Sequence, residues 1–302
     1  MDKYSSKILE TLSIKDVRHF NKIKENISYF DDDYFIEANK FYEKYDRYLK
    51  SIGKDFSFSV DCYMKMVADI NFEMVHFYRT GKYSSSDFIE VNKRVYNNPE
   101  IMDYYMHGLI LSQFLWKQHY ETYNFFHSYI KKFSKSIKGY LEIGAGHGLY
   151  LSKFIEYSDP DQLNDCTVID VSQTSINFSK NFVKNDKINF ICNDIFNYKS
   201  KKKFDLIVMG EVLEHVENPL KLLKELKKHL KKTGYLFITT PTNAPTIDHI
   251  YLFNNIYEIR EMIENAGFNI IKENVVCSEN ASKEEIEIKK ISEMYSAFLN
   301  IY

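Results

Sequence analysis

The sequence is short of several things, and each shortage excludes something. Its four cysteines, Cys62, Cys166, Cys192 and Cys277, stand far apart with no C-x-x-C pair. That argues against a disulfide framework or a cysteine-based zinc cluster and fits a reduced, cytoplasmic protein. No apolar run approaches the roughly 20 residues of a membrane span. The stretch Met1-Asp2-Lys3-Tyr4-Ser5 lacks the apolar core of a signal peptide. There is no excess charge of either sign: 40 Lys+Arg face 42 Asp+Glu, a net −2, spread evenly along the chain. A large nucleic-acid surface is therefore not expected, and the lysines around 199–203 and 221–232 read as solvated surface. Neither an internal repeat nor a low-complexity linker is visible.

What is present is aromatic and apolar. There are 24 Tyr and 23 Phe but a single Trp among 302 residues, enough chain for two domains or one large one. Residues 1–133 carry helical spacing almost throughout, as in Val17, Phe20, Ile23 and Ile27. Asp33 is expected to cap a helix that stops near Gly53. Another is expected from about Val60 to Arg79 with Gly81 as its stop, and Ser86 opens a short one ending at Asn97. Asn98-Pro99 caps a long pattern that persists to Phe133, with a break near Gly108 or Gln113. The segment from Ser134 to Gly139 is the clearest joint.

From Gly139 the pattern changes. Tyr140 to Ile143 is a short apolar run holding one acid, Glu142, and glycines follow at 144, 146 and 148. Helical spacing resumes at Leu149. Strand, glycine turn and helix form the nucleotide site of open α/β sheets. A dinucleotide fingerprint, G-x-G-x-x-G, would need glycine where Leu149 stands, and Glu142 would repel a pyrophosphate. An acid there suits a ligand carrying an ammonium group. A nicotinamide-dependent oxidoreductase is therefore disfavoured.

This E-x-G-x-G-x-G run resembles the first motif of the class I S-adenosylmethionine-dependent methyltransferases. Strands then alternate with helices: Cys166 to Asp170, Lys187 to Cys192, Phe204 to Met209, Tyr235 to Thr239 and Phe268 to Val276. The run Glu211-Val212-Leu213-Glu214-His215-Val216 is similar to one in methyltransferases of the ubiquinone-biosynthesis type. The resemblance, over about residues 134–277, implies an α/β fold: a doubly wound, mostly parallel Rossmann-like sheet, here preceded by an all-helical cap. Residues 1–133 would form that substrate-specificity cap and 134–302 the donor-binding domain. It implies S-adenosylmethionine as cofactor, held by Glu142, Gly144, Ala145, Gly146, Asp170, Val171, Asn193, Asp194, Ile195 and Glu211. Asp170 would accept the ribose hydroxyls. Asp194 would bond the adenine amino group, with Ile195 packing on the ring. Such folds end in a seventh, antiparallel strand. Residues 278–302 instead carry helical spacing, so a helical tail is expected and that strand is expected to be missing or displaced.

The implied reaction is in-line methyl transfer to a small-molecule acceptor, aromatic or apolar if the cap's Trp116, His119, Tyr120 and Tyr123 touch it. The acceptor atom, oxygen, nitrogen or carbon, is not legible, nor is the oligomeric state. His215, just beyond the fourth strand, is the first candidate for a base and His249 the second. No metal site is assigned. The alternative is Mg²⁺ on Glu211, Glu214 and His215 with His249 as a fourth ligand, which some relatives imply. An RNA 2′-O-methyltransferase and a donor-binding module without turnover are the other readings.

Overall fold

The computed structural model describes residues 3–301. The front half is helical: α1 (Lys3–Lys15), α2 (Val17–Ser28), α3 (Asp32–Ser51), α4 (Phe56–Thr80), α5 (Phe88–Val91), α6 (Pro99–Leu115) and α7 (Lys117–Phe133). A π-helical turn, Asn92–Tyr96, extends α5. Asp16, Asp31, Asp55 and Asn98 each accept an amide proton from the first turn of the helix they precede. The α3 cap is thus Asp31 rather than the expected Asp33, because Asp32 and Asp33 already lie in the helix, where their charges favour its N-terminus. Asp87 rather than Ser86 caps α5.

The helix from Pro99 does not break at Gly108 or Gln113. It breaks at Trp116, whose backbone is extended (φ −108, ψ 127). Gly108 serves close packing instead: a Cβ there would lie 2.9 Å from Met66 Sδ on α4. Beyond the break, α7 leaves the cap and lies on the sheet, where Phe126 and Ile130 join the core beneath it.

The remainder runs β1 (Gly139–Ile143), α8 (Leu149–Tyr157), β2 (Asp165–Asp170), α9 (Gln173–Val183), β3 (Asn189–Cys192), β4 (Phe204–Gly210), α10 (Pro219–His229), β5 (Leu230–Pro241), α11 (Ile256–Asn265), β6 (Phe268–Cys277), α12 (Lys283–Lys289) and β7 (Glu293–Ile301). The sheet order is β3-β2-β1-β4-β5-β7-β6. Strands β1 to β5 pair in parallel, while β7 pairs antiparallel with both β5 and β6. Helices cover both faces, which is why β1 is buried at every residue.

The expected helical tail is therefore corrected. Only Lys283–Lys289 is helical, and Glu293–Ile301 is the seventh strand, inserted between β5 and β6. Helical spacing misled because β7 is buried along both faces. A strand covered on both sides carries apolar residues without the period-two alternation that distinguishes strand from helix.

The chain order reverses between β1 and β4, at whose carboxyl ends a crevice opens. The cap closes that crevice from above. Its core is continuous with the sheet layer: Leu149 of α8 and Phe178 and Phe182 of α9 pack into the same cluster as the cap helices.

Candidate functional site

One cavity of 430 Å³ occupies the crevice. Every donor-site residue named from the sequence lines it, as do His215 and His249. They arrive there from the ends of β1, β2, β3, β4 and β5. From the cap come Ile70, Met102, Tyr105, Met106 and Leu109, with Trp116 and His119 from the α6–α7 break. Tyr120 and Tyr123, also expected within reach, lie in the cap core instead.

The floor is the glycine turn. Gly144 has φ +66, and a Cβ there would lie 2.6 Å from Val212 Cγ2. A side chain at that point would close the floor against the β4 loop. Its amide donates to Ile169 O at 2.8 Å, tying the turn to β2. Glu142 stands at the end of β1, buried, and accepts from the Tyr140 hydroxyl. Burial raises its carboxyl to about 8, the Tyr140 bond works against this, and the charge of Asp170 adds to it. Asp170 ends β2. One of its oxygens accepts from Ser172 N at 2.8 Å and the other from Gly146 N at 3.3 Å. Burial raises it to about 6 against those amides and His215. Asp194 Oδ1 accepts from Phe196 N at 2.9 Å and so shapes the turn carrying Ile195.

The far end is built on the loop after β4. Glu211 takes a left-handed backbone, φ +52, which is strained for a residue with a side chain. Its amide holds the strain by donating to Thr239 O at 3.0 Å and Thr239 Oγ1 at 2.9 Å. Burial and the charge of Glu214 raise its carboxyl, opposed by His215. Glu214 is fully buried and accepts from Thr240 Oγ1 at 2.8 Å. Its carbonyl receives the amides of Ile250 at 2.8 Å and Tyr251 at 2.9 Å, which folds the loop after β5 over the site.

His215 sits among acids. Its Nδ1 is 2.9 Å from the Tyr96 hydroxyl, 3.1 Å from Asp248 O and 3.4 Å from Asp248 Oδ2. Burial pulls its pKa down, but Asp248, Glu214 and Glu211 outweigh burial and raise it above the ordinary histidine value. Asp248 is held low: His215 and His249, with hydrogen bonds from Thr246 and Tyr96, overcome its burial. His249 is different. Burial, and then His215, lower it to about 3, so it is neutral at pH 7. Burial likewise lowers His119 to about 3 and His147 to about 4.

Of the magnesium set posed from the sequence, the structure brings three residues together and leaves one out. Ligand atoms of Glu214, His215 and His249 lie within 4.8 Å of one another, but Glu211 is not in that group among the described residues. One carboxylate with two imidazoles is a poor match for Mg²⁺, which takes oxygen ligands. No metal is assigned here.

Sequence reasoning missed Tyr96 and Asp248 as partners of His215. Asp248 had a signal, since it precedes His249. Tyr96 had none: it reaches the site from the cap, 119 positions away in sequence.

A family profile described as a methyltransferase domain matches residues 117–273. The ubiquinone biosynthesis O-methyltransferase of Rickettsia canadensis (strain McKiel) is 32% identical over 102 residues, 33% of this chain and 41% of that protein. The tRNA U34 carboxymethyltransferase of Campylobacter fetus subsp. fetus (strain 82-40) is 32% identical over 143 residues, 42% of this chain and 49% of that protein. The chain thus spans less than half the length of these curated relatives. Among solved structures, the mitomycin 7-O-methyltransferase MmcR is similar over 82% of this chain and 70% of that chain. Its TM-score is 0.53 at 10% identity, a likeness of fold that includes part of the cap.

Proposed function

Since the chain belongs to the methyltransferase-domain family, we propose that it transfers a methyl group from S-adenosylmethionine to an uncharged small molecule, at a hydroxyl that His215 deprotonates. The observation that carries the reading is the pairing of His215 with Asp248 at the rim of the cavity. A base is needed only where the acceptor must lose a proton, and a hydroxyl is such an acceptor. The relatives named as O-methyltransferases agree with this.

The residues present fit the donor. Gly144 leaves room where a Cβ would meet Val212, and buried Glu142 and Asp170, with half-buried Asp194, supply acceptors for an ammonium group, ribose hydroxyls and an adenine amine. When bound, S-adenosylmethionine supplies an activated methyl group and becomes a thioether. The chain's own work is then orientation and proton removal. Glu142 and Asp170 hold the ligand against the glycine turn. Cap side chains exclude water from above. His215 takes the acceptor's proton at Nε2 as the new O–C bond forms.

The lining also bears on the acceptor. Among the described residues Lys221 is its single lysine or arginine, and three of its four histidines are neutral at pH 7. An anionic acceptor, nucleic acid included, would find little there to offset its charge. The cap wall of Ile70, Met102, Met106, Leu109 and Trp116 suits a flat, apolar body.

The test is transfer of labelled methyl from S-adenosylmethionine to a panel of neutral phenols, with carboxylated phenols and RNA as comparison. Methyl ether from the neutral set alone supports the reading. Labelling only of RNA or of carboxylated acceptors would refute it.

A further inference from the structure

The segment of the cap between α4 and α6 is fastened over the proposed catalytic end by hydrogen bonds to loops of the methyltransferase domain. The Tyr83 hydroxyl accepts from Ala244 N at 3.0 Å. Phe88 N donates to Glu217 Oε1 at 3.0 Å. Arg94 Nη2 donates to Ile247 O at 2.7 Å and to Ser85 Oγ at 2.8 Å. Ser172 Oγ donates to Tyr96 O at 3.0 Å. Two of these anchors, Arg94 and Tyr96, belong to the π-helical turn, a rare conformation that recurs at functional sites. The turn ends in Tyr96, which is half-buried, its hydroxyl between His215 and Asp248.

We propose that Tyr96 is a positioning residue: its hydroxyl oxygen accepts the Nδ1 proton of His215 while its own proton goes to Asp248, which fixes His215 in the tautomer whose Nε2 is free to take a proton. The inference rests on the reading of His215 as the base. The geometry is specific about the tautomer. Tyr96 O donates to Asp248 Oδ2 at 3.2 Å, so its lone pairs remain for Nδ1 at 2.9 Å. The other neighbours of Nδ1, the Asp248 carbonyl and carboxylate, are acceptors only. Nδ1 therefore carries the hydrogen. Nε2 makes no hydrogen bond among the described residues, and its nearest charged neighbour is Glu214 Oε1 at 3.8 Å.

The charged and titratable groups around His215 come from four places. Glu211 and Glu214 are on its own loop, Asp248 and His249 on the loop after β5, Asp170 at the end of β2, and Tyr96 on the cap. Of these, Tyr96 alone contributes an uncharged hydroxyl, so it can be removed without changing the charge of the site. Because it belongs to the cap, His215 would be set as a base only when the cap is seated.

Nitrogen-15 NMR of the imidazole rings in the full-length protein tests this without any acceptor, with His215→Gln to assign the signals. Wild type should show His215 as the Nδ1–H tautomer. Tyr96→Phe should keep that tautomer, since the Asp248 carbonyl still accepts from Nδ1, but with a shifted Nδ1 resonance and a His215 pKa lower by about one unit, the scale of one hydrogen bond to a charged group. Its affinity for S-adenosylhomocysteine should stay within about twofold, and its kcat should fall about tenfold with KM for the acceptor unchanged. An Nε2–H tautomer in the wild type, or a Tyr96→Phe spectrum like that of the wild type, overturns the proposal. So does equal loss of folding and donor binding in Tyr96→Phe, which would make the residue structural. Wild-type protein that shows the Nδ1–H tautomer but transfers no methyl group would refute the proposed function while leaving the Tyr96 assignment standing.

Discussion

The proposed base, His215, can take a proton only when neutral, and its acidic neighbours hold the proton on. Turnover should therefore rise with pH and level off only above the ordinary histidine value of about 6.5. Asp248→Asn removes the largest charge that raises it, so the inflection should move to lower pH. His215→Ala should lose about 10²- to 10⁴-fold in kcat while calorimetry finds donor affinity unchanged. An unshifted profile in Asp248→Asn would speak against the pair. Asp170→Asn belongs to the donor end and should weaken S-adenosylhomocysteine about tenfold or more, the worth of a hydrogen bond to a charged group. At this scale much of the site was legible. Glu142, Asp170 and Asp194 follow strands by fixed, short offsets, so local pattern brings them to the cavity. Tyr96 was not legible, because no local rule links a cap tyrosine to a histidine 119 positions later. His249 was legible as a neighbour of the site, but its burial, which keeps it neutral, depends on tertiary packing.

At the scale of elements, the motif order from β1 to β5 read correctly because each strand sits between a turn signal and a capped helix, as Ser172 and Asn218 show. The last strand failed for the reason its burial makes plain. Strand β7 has neighbours on both edges and apolar cover on both faces, so it behaves as core rather than tail. Leu299→Ala should cost about 2–5 kcal/mol of unfolding free energy, measured in denaturant, as for other fully buried leucines. A cost below about 1 kcal/mol would place β7 outside the cooperative core. The α6–α7 break was misjudged because Gly108 looked like a breaker. In the fold it is the point where α4 and α6 approach closely, and the break is made by the extended backbone of Trp116.

The whole molecule places raised acids and lowered histidines in one cavity, which gives a pH signature. A lowered histidine costs stability as pH falls below about 6.5, and His119, His147 and His249 all act in that acid range. A carboxyl raised in the fold has the opposite sign. Folded protein then holds protons that unfolded chain has released, so stability falls as pH rises towards the folded pKa. Glu142, at about 8, and Glu211, also raised, act this way, and raised His215 adds to them. Between pH 6.5 and 8 the ligand-free protein should therefore lose thermal stability. A donor whose ammonium group pairs with Glu142 should flatten that slope. A stability that rises across this window would contradict the buried, protonated state of Glu142. Among the described residues, no helix is long and apolar enough to cross a membrane.

The central claim is that the cavity at the carboxyl ends of β1, β2 and β4 is a donor site for S-adenosylmethionine. Calorimetric titration of the protein with S-adenosylhomocysteine, beside a titration with NADH, tests it most directly. Micromolar binding of S-adenosylhomocysteine alone, weakened in Asp170→Asn, is the predicted result. Folded protein that binds NADH instead, or binds neither, would contradict it.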